Sequence, residues 1–229
     1  MGQYYRIINL DKKEYIKPYD YKVGAKLMES AFITNAGETN DYMLALSNLI
    51  KTHWKGDSVV MVGDYLNFNT TDDCNLNNIV RLFYKKLCNS KEYQKLKVAD
   101  EGDTYEPLYD FIDGNNFKNV KYIYDDILTN KTVPQYLCNP RTKEYVDLRN
   151  LPIEEECKDG SYLSIYPLPL LIAMGNGLGL GDYNDINKDY VGDWCDLSQY
   201  IFFTNECPNG YTLYKYPFTE QKFISYLKR

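Results

Sequence analysis

The amino-acid sequence predicts an α+β protein with a mixed or antiparallel sheet, flanking helices and an internal duplication. Short β-rich apolar runs lie between glycines or polar turns, other segments repeat apolar residues at helical spacing, and one set of landmarks occurs twice. With 229 residues and no low-complexity linker, the chain is read as one domain. Two related halves, at about 1–66 and 134–216, are expected within it, with a helical insertion between them.

The first half is expected to begin with a hairpin and to end in a buried strand. In chain order, the predicted elements are a hairpin over 4–16, a helix over 24–32, a helix over 43–54 capped by Thr39 or Asn40, and a strand at 59–62. The last run is Val-Val-Met-Val with Gly-Asp on either side, a pattern typical of a strand buried on both faces.

The rest of the chain is expected to repeat this hairpin-to-strand plan after a helical insertion. The predicted elements are a helix at 79–87, a strand at 120–124, a hairpin over 136–148, strands at 161–166, 170–174, 200–204 and 211–216, and a final helix capped by Thr219 with Phe218 and Phe223 as a hydrophobic staple. The landmarks shared by the halves are Asn9, Lys13, Glu14, Asp41, Trp54 and Asp57, matched by Asn139, Lys143, Glu144, Asp182, Trp194 and Asp196. Duplication and chance agreement between common residues both explain this order.

Composition and charge exclude some classes of protein. The formal net charge of −6 argues against a nucleic-acid grip built on clustered Lys and Arg. No apolar run reaches the ~20 residues that span a bilayer, and the N-terminus lacks a signal-peptide pattern. The expected location is therefore the cytosol of a cell or of an infected host, with a virion location left open. The sequence leaves the oligomeric state unknown.

Tyrosine is unusually frequent, with 24 copies against a single histidine. This composition is typical of an aromatic binding surface, or of a gene with AT-rich codons from a virus, phage or AT-rich microbe. Six cysteines are sparse and form no C-x-x-C pair, so buried, reduced thiols are expected and no zinc site is assigned. No cofactor is predicted.

A glycine-rich loop after the apolar run 170–174 is the best candidate for a ligand site. It contains Gly175, Asn176, Gly177, Gly179 and Gly181, followed by Asp182. Such a loop can turn successive backbone N–H groups towards an anion. It matches neither phosphate-loop pattern, and a carboxylate would repel a phosphate. The alternative is a tight connection in which neighbouring backbone passes close to the glycines.

Aspartates beside glycine or tryptophan form a second group of candidates. They are Asp57, Asp64, Asp182, Asp193 and Asp196, and Trp54, Asp57 and Trp194 join the candidate ligand-binding residues. Symmetric packing of two halves would bring some carboxylates together for acid–base or metal chemistry. Ordinary Gly-Asp turns are the alternative. His53 is expected to be a packed or capping residue. An acidic turn at 185–196 has tyrosine where a calcium loop needs glycine, so no metal is assigned.

Several motifs resemble those of a family of uncharacterised proteins found in bacteria, with relatives in some viruses and lower eukaryotes. The motifs are Met-Gly-x-Tyr-Tyr at 1–5, Asn-Leu-Asp-Lys-x-Glu-Tyr at 9–15, Trp-x-Gly-Asp at 54–57, Val-Gly-Asp-Tyr at 62–65, Pro-Leu-Pro-Leu-Leu at 167–171, the glycine-rich loop through residue 183, and Val-Gly-Asp-Trp at 191–194. They cover both ends of the chain in patches. The resemblance implies no activity, and no catalytic residue is assigned from it.

The leading functional hypothesis is a non-catalytic interaction protein that binds another protein through a surface bearing tyrosine and tryptophan. The absence of a recognised catalytic motif and the many aromatics favour it. The alternative is a small-molecule or nucleotide binder, or a hydrolytic enzyme, that uses the loop 175–181 and nearby aspartates. Exposed Trp54 and Trp194 would favour the first, and a pocket with Asp182 among other acids would favour the second.

Overall fold

The structure is a computed structural model that describes residues 4–33, 39–64, 109, 112, 117–121, 134–156, 162–174, 192–195, 200–215 and 223–225. These residues form an α+β fold of three mixed or antiparallel sheets with short helices, which confirms the predicted class. No helix in these ranges is long and apolar enough to cross a membrane.

The elements of the first part of the chain follow the predicted order. They are β1 (Tyr5–Asn9), β2 (Glu14–Ile16), a 3₁₀ helix (Pro18–Tyr21), α1 (Leu27–Ala31), β3 (Phe32–Ile33), α2 (Asp41–Lys51), β4 (Val59–Gly63) and β5 (Lys118–Asn119). The elements of the second part are β6 (Tyr136–Asn139), β7 (Glu144–Asp147), β8 (Asn150–Glu156), β9 (Tyr162–Ile165), α3 (Pro167–Leu171), β10 (Ala173–Met174), β11 (Phe202–Thr204), β12 (Thr212–Leu213) and β13 (Phe223–Ser225).

The first sheet has the order β10-β4-β1-β2-β5. Its centre is antiparallel, because β1 pairs with both β2 and β4 in that sense, while β10 and β5 add in parallel at the two edges. The turn between β1 and β2 is built by Asn9, whose side-chain oxygen accepts the N–H groups of Asp11 and Lys12 at 3.0 and 2.8 Å. Lys13 completes the reversal with a left-handed backbone, φ 53°.

The second sheet has the order β11-β6-β7-β12, and the third has the order β13-β8-β9-β3. In the second sheet β6 pairs antiparallel with β7 and β11, and β12 adds in parallel to β7. The predicted turn at 139–142 is confirmed: the Asn139 side chain accepts the N–H groups of Arg141 and Thr142, and Lys143 has φ 57°.

Helix α2 begins where the sequence predicts and fastens the first hairpin. Asn40 is its N-cap and accepts the N–H of Met43 at 3.0 Å. In the same first turn, the buried Tyr42 hydroxyl accepts the Ile7 N–H and donates to the Ile16 carbonyl, both at 3.1 Å. The helix therefore joins both strands of the hairpin. It ends at Lys51, so Trp54 lies in the following turn instead of on the predicted helix.

Three predicted elements differ from the structure. The first helix ends at Ala31, whose carbonyl accepts the Tyr166 N–H at 2.8 Å, so that the next two residues form β3. The apolar run at 170–174 is only partly a strand: Leu170 and Leu171 end α3, for which Pro167 supplies a preformed first turn, Ile172 is the C-cap, and β10 takes the last two residues. The predicted final helix is wrong at 223–225, which pairs with β8.

Other predictions are only partly covered by the described residues. The strand expected at 120–124 is not observed at residues 120 and 121. The nearest strand is β5, two residues earlier, and 122–124 lie outside the described part of the chain. The helical insertion, the helix at 79–87, the loop 175–181 and Thr219 also lie outside it. The division into two domain halves stays a prediction.

Both parts of the chain contribute to one apolar core. Buried side chains of β1, α2 and β4 meet those of β6, β7 and α3 in a single cluster, with the indole rings of Trp54 and Trp194 among its largest members. Such shared burial stabilises the sheets together instead of separately.

The three cysteines in the described ranges, Cys138, Cys195 and Cys207, are free. Cys138 and Cys195 are buried, which raises the pKa of the Cys138 thiol to about 11 and that of Cys195 well above its ordinary value. Cys207 is exposed.

Candidate functional site

Trp54 is held by a buried carboxylate on the first hairpin. Its indole N–H donates to Glu14 at 2.7 Å, and Nε2 of His53 lies 2.8 Å from the same carboxylate oxygen. A tight turn places the ring there: the Trp54 N–H donates to the Leu49 carbonyl, and Gly56 adopts φ +82°. The His53 side chain is 39% exposed and contacts the Glu14 carboxylate, so it is not the packed or capping histidine that the sequence predicted.

Asp57 ties this turn to the hairpin. Its Oδ2 atom accepts a hydrogen bond from the Asn9 amide at 2.7 Å and forms an ion pair with Lys12. The next residue, Ser58, donates its N–H to Asp11 at 2.6 Å. These contacts fix the start of β4 beside the β1–β2 turn, which is a structural role for the Gly-Asp turn.

A second tryptophan has the same kind of partner on the second hairpin. The Trp194 indole N–H donates to Glu144 at 3.1 Å, and the ring meets the edge of Tyr214 at a centroid distance of 5.7 Å. The Tyr214 hydroxyl donates to Asp193 at 2.5 Å. Gly192 precedes them with φ +85°, and a Cβ atom there would lie only 2.9 Å from the carbonyl oxygen of Ala173.

The two hairpin sheets share topology and register. β4-β1-β2-β5 and β11-β6-β7-β12 have the same order and the same pairing directions. Asn9 lies opposite Glu14 as Asn139 lies opposite Glu144. The parallel edge strands also form matching backbone hydrogen bonds. The Lys118 N–H donates to the Lys13 carbonyl at 2.9 Å, and the Thr212 N–H donates to the Lys143 carbonyl at 2.8 Å. The duplication itself stays a prediction.

The repeated geometry also has differences. The Asn9 amide donates to Asp57, whereas the buried Nδ2 atom of Asn139 has no hydrogen-bond partner among the described residues. Thr142 takes the turn position that Lys12 holds in the first hairpin, so the ion pair is not repeated. The strands that follow the two short helices also differ. β10, after α3, extends the first sheet beside β4, whereas β3, after α1, pairs with β9 in the third sheet.

Some of the predicted site residues lie in the described part of the chain and others lie outside it. Gly175, Asn176, Gly177, Gly179, Gly181 and Asp182 lie outside the described residues. Trp54 and Trp194 are buried in the core with their indole N–H groups bonded to carboxylates, so the exposure that would have favoured the interaction hypothesis is not observed. The assignment of Trp54, Asp57 and Trp194 to a ligand site stays a prediction.

The predicted meeting of aspartates is not observed within the described ranges. Asp57 binds Asn9 and Lys12, Asp64 accepts the Tyr4 N–H at 3.0 Å, and Asp193 accepts from a tyrosine. Among the described residues, no group of three or more His, Cys, Asp or Glu side chains could hold a metal ion. Asp182 and Asp196 lie outside these ranges.

The sequence predicted a tyrosine-bearing surface but did not identify the tyrosines that are exposed. We define the Tyr4–Tyr19 surface as Tyr4, Tyr19, Glu29 and Asp64. Tyr4 and Tyr19 are 46% and 63% exposed, and both carboxylates are half-buried. Asp64 bonds to the Tyr4 backbone, and Glu29 bonds to the N–H of Lys26, which lies opposite Tyr4. Burial raises the pKa of Tyr19, and the charges of Tyr4, Glu29 and Asp64 raise it further. The available signal was Pro18, which starts a one-turn 3₁₀ helix in which Tyr21 is buried and Tyr19 is exposed.

Comparison with known proteins adds no relative. No protein-family profile, curated protein sequence or solved structure shows significant similarity to this chain.

Proposed function

We propose that the protein acts by binding another protein through the Tyr4–Tyr19 surface, in the cytosol of a cell or of an infected host. The observation that supports the proposal is the exposure of two large aromatic side chains on a rigid support. Tyr4 continues the ladder between β1 and β4, and Tyr19 stands on a helix whose Pro18 and Tyr21 are buried. Tyrosine offers broad contact area at low entropic cost, and it is enriched at interfaces.

The support under Tyr19 reaches the core directly. The Tyr21 ring packs on that of Tyr42 at a centroid distance of 5.5 Å, and the 3₁₀ helix is closed by Lys22 in a left-handed conformation, φ 58°. A binding residue held this way loses little further freedom when a partner arrives, so more of the contact energy remains as affinity.

The experiment is affinity capture with three forms of the full chain: the unchanged protein, the double variant Tyr4→Ser/Tyr19→Ser, and the control variant Tyr200→Ser. Tyr200 is also 46% exposed and lies outside the surface, so it matches the loss of an exposed ring. A partner should be captured by the unchanged protein and by the control but not by the double variant. Equal capture by all three forms would contradict the proposal, provided that their melting temperatures agree.

A second candidate function is small-molecule binding, including a hydrolytic enzyme, by the glycine-rich loop. The observation that favours it is the parallel pairing of β10 with β4, in which Met174 lies opposite Val62. Both strands therefore end at one edge of the sheet, where Asp64 follows β4 and Gly175 follows β10 directly in the chain. Such an edge, at the carboxyl ends of parallel strands, is a frequent ligand position in α/β sheets.

A thermal-shift panel of nucleotides, sugar phosphates, Ca²⁺ and Mg²⁺ tests this second candidate. A ligand at about 100 times its Kd adds ~2.7 kcal/mol of stability, and a chain of this size gains about 2–4 °C per kcal/mol. A shift that disappears in Asp182→Asn would favour the loop as a site. A panel without shifts would count against this candidate and leave the interaction proposal standing.

A further inference from the structure

We propose that the outer edge of β12 binds an extended, acidic segment of another protein as an additional strand of the second sheet. The inference goes beyond the proposed function, because it concerns a different element of the fold and a defined chemistry of the bound segment. It rests on the exposure of Leu213, on the direction of its backbone groups and on the basic side chains around it.

One side of β12 is bonded to β7 and the other faces outwards. The N–H groups of Thr212 and Tyr214 donate to the Lys143 and Tyr145 carbonyls, both at 2.8 Å. Because backbone groups alternate in direction along a strand, the N–H and C=O of Leu213 point away from β7. Within the described ranges, β12 is the last strand of its sheet. Such an edge presents the donor and the acceptor that an added strand uses.

The matching edge of the first sheet is polar. Asn119 lies opposite Tyr15 as Leu213 lies opposite Tyr145. The Asn119 side chain forms hydrogen bonds within the protein, and the exposed Lys118 precedes it. A lysine on an edge strand discourages the addition of another chain. At β12 the asparagine is replaced by an apolar side chain that is 55% exposed, so this edge lacks the protection that the first sheet has.

Basic side chains on the outer face of this edge favour an acidic segment. Tyr214 is buried in the core, whereas its neighbours Leu213 and Lys215 are exposed on the other face. On the same face, Nζ of Lys143 lies 5.0 Å from the centre of the Tyr211 ring, two residues before Leu213. A strand added here therefore meets a lysine on each side of Leu213.

Among the described residues, the carboxylates of this sheet have other partners or lie at its other edge. Glu144 accepts an indole N–H on the core side, and Asp193 accepts the hydroxyl of a core tyrosine. Asp147 is held by two hydrogen bonds from Arg149, at 2.7 and 2.8 Å. Glu206 follows β11, at the opposite edge of the sheet. A second copy of this chain would bring the same lysines to both sides of the contact, so an acidic segment of a different protein is the better match.

The direct test uses two blocked peptides with the expected pattern. Side chains on one face of a strand recur at every second residue, so the matching segment carries acid–x–apolar–x–acid, with the apolar residue opposite Leu213. The peptides are Thr-Glu-Thr-Leu-Thr-Glu-Thr and the same sequence with Lys in place of Glu. Each is titrated to millimolar concentration into the isotope-labelled full chain, and the amide NMR signals of residues 212–214 are followed. The Glu peptide should shift these signals and the Lys peptide should not. Equal shifts from both peptides, or no shift from the Glu peptide, would overturn the inference.

A third peptide separates an added strand from a loose ionic contact. It keeps both Glu side chains but carries N-methyl groups on its three central residues, which removes their N–H donors. This peptide should not shift the Leu213 amide signal. A shift equal to that of the unmethylated Glu peptide would mean that charge alone holds the peptide, and the strand assignment would be wrong.

Variants identify the groups that bind the Glu peptide. Leu213→Asn introduces the residue found at the matching position of the first sheet and should weaken binding. Lys215→Gln and Lys143→Asn, the latter at a left-handed position that asparagine tolerates, should each weaken binding about two- to fivefold, as expected for exposed ion pairs, and reduce its dependence on salt. Lys118→Gln is the matched control, because it removes one exposed lysine from the edge of the first sheet. With equal melting temperatures, equal binding by Lys215→Gln and Lys118→Gln would contradict the inference.

Sedimentation of the full chain tests the other occupant of this edge. A dimer that forms with rising concentration and is lost in Leu213→Asn would assign the edge to a second copy of the chain, and the acidic segment would be wrong. The outcome for this edge is independent of the proposed function, whose test changes only residues 4 and 19.

Discussion

Replacement of Glu14 by alanine should show how much the first hairpin depends on its buried carboxylate. The variant removes the acceptor of the Trp54 indole N–H, which lies 2.7 Å away, and leaves that donor without a partner in the core. A buried donor left unsatisfied costs about 1–3 kcal/mol. The lost contact with His53 adds little, because that side chain is 39% exposed.

The expected loss is measurable by thermal or urea unfolding of the full chain. About 1–3 kcal/mol corresponds to a fall in Tm of roughly 2–4 °C for each kcal/mol in a chain of this length. Glu14→Gln keeps a side-chain oxygen that can accept from the indole and should lose less. Glu144→Ala is a matched comparison, and it should cost less than Glu14→Ala because the Trp194 bond is longer, at 3.1 Å, and only part-buried.

A double-mutant cycle isolates the hydrogen bond from the loss of volume. In the background Trp54→Phe, which has no indole N–H, Glu14→Ala should cost clearly less than in the unchanged protein, with a coupling energy of about 0.5–3 kcal/mol. A coupling energy near zero, or a fall in stability smaller for Glu14→Ala than for Glu144→Ala, would refute the assignment of this bond as a core contact.

Three further predictions concern the backbone and the thiols. Gly192→Ala should destabilise the protein more than Gly210→Ala in urea unfolding. Both glycines have positive φ, which costs alanine about 1–2 kcal/mol, but only at Gly192 does the new methyl group meet a carbonyl oxygen. Equal losses of stability would contradict this contact. Asn40→Ala should lower the free energy of unfolding by about 0.5–2 kcal/mol, because α2 loses its cap, and circular dichroism during unfolding measures it; no loss would count against the cap. At pH 8, peptide mass spectrometry should find the exposed Cys207 alkylated quickly and the buried Cys138 slowly. Burial raises the pKa of Cys138 to about 11, so almost none of it is thiolate at pH 8. Similar alkylation rates would show that Cys138 is accessible.

Local patterns predicted the strands and caps that depend on neighbouring residues. The β1–β2 hairpin, the Asn40 cap and the strand at Val59 each follow from a short run of side chains, and the structure contains all three. Their signals are local: turn residues fix a reversal, and a cap satisfies backbone N–H groups within one turn.

Elements that depend on distant partners were predicted less well. Phe32 and Phe223 continue helical patterns in the sequence, yet both lie in strands, because β9 and β8 offer them backbone partners. The candidate site was harder to predict from the sequence than these strands. The functional hypothesis gave tryptophan a place on the binding surface, but the acceptors Glu14 and Glu144 lie far from Trp54 and Trp194 in the sequence, so their pairing with the indoles was not visible from local patterns.

The pairing of β10 with β4 makes the two parts of the chain depend on each other during folding. Ala173 lies opposite Met61, so the outer edge of the first sheet is covered by a strand that is made much later in synthesis. Until that strand arrives, a nascent chain exposes the backbone groups of the apolar segment Val59–Gly63, an edge on which other chains can add. A fragment that ends before residue 134 would keep that edge open, and its tendency to aggregate during synthesis would be the cost of sharing one sheet between both ends of the chain.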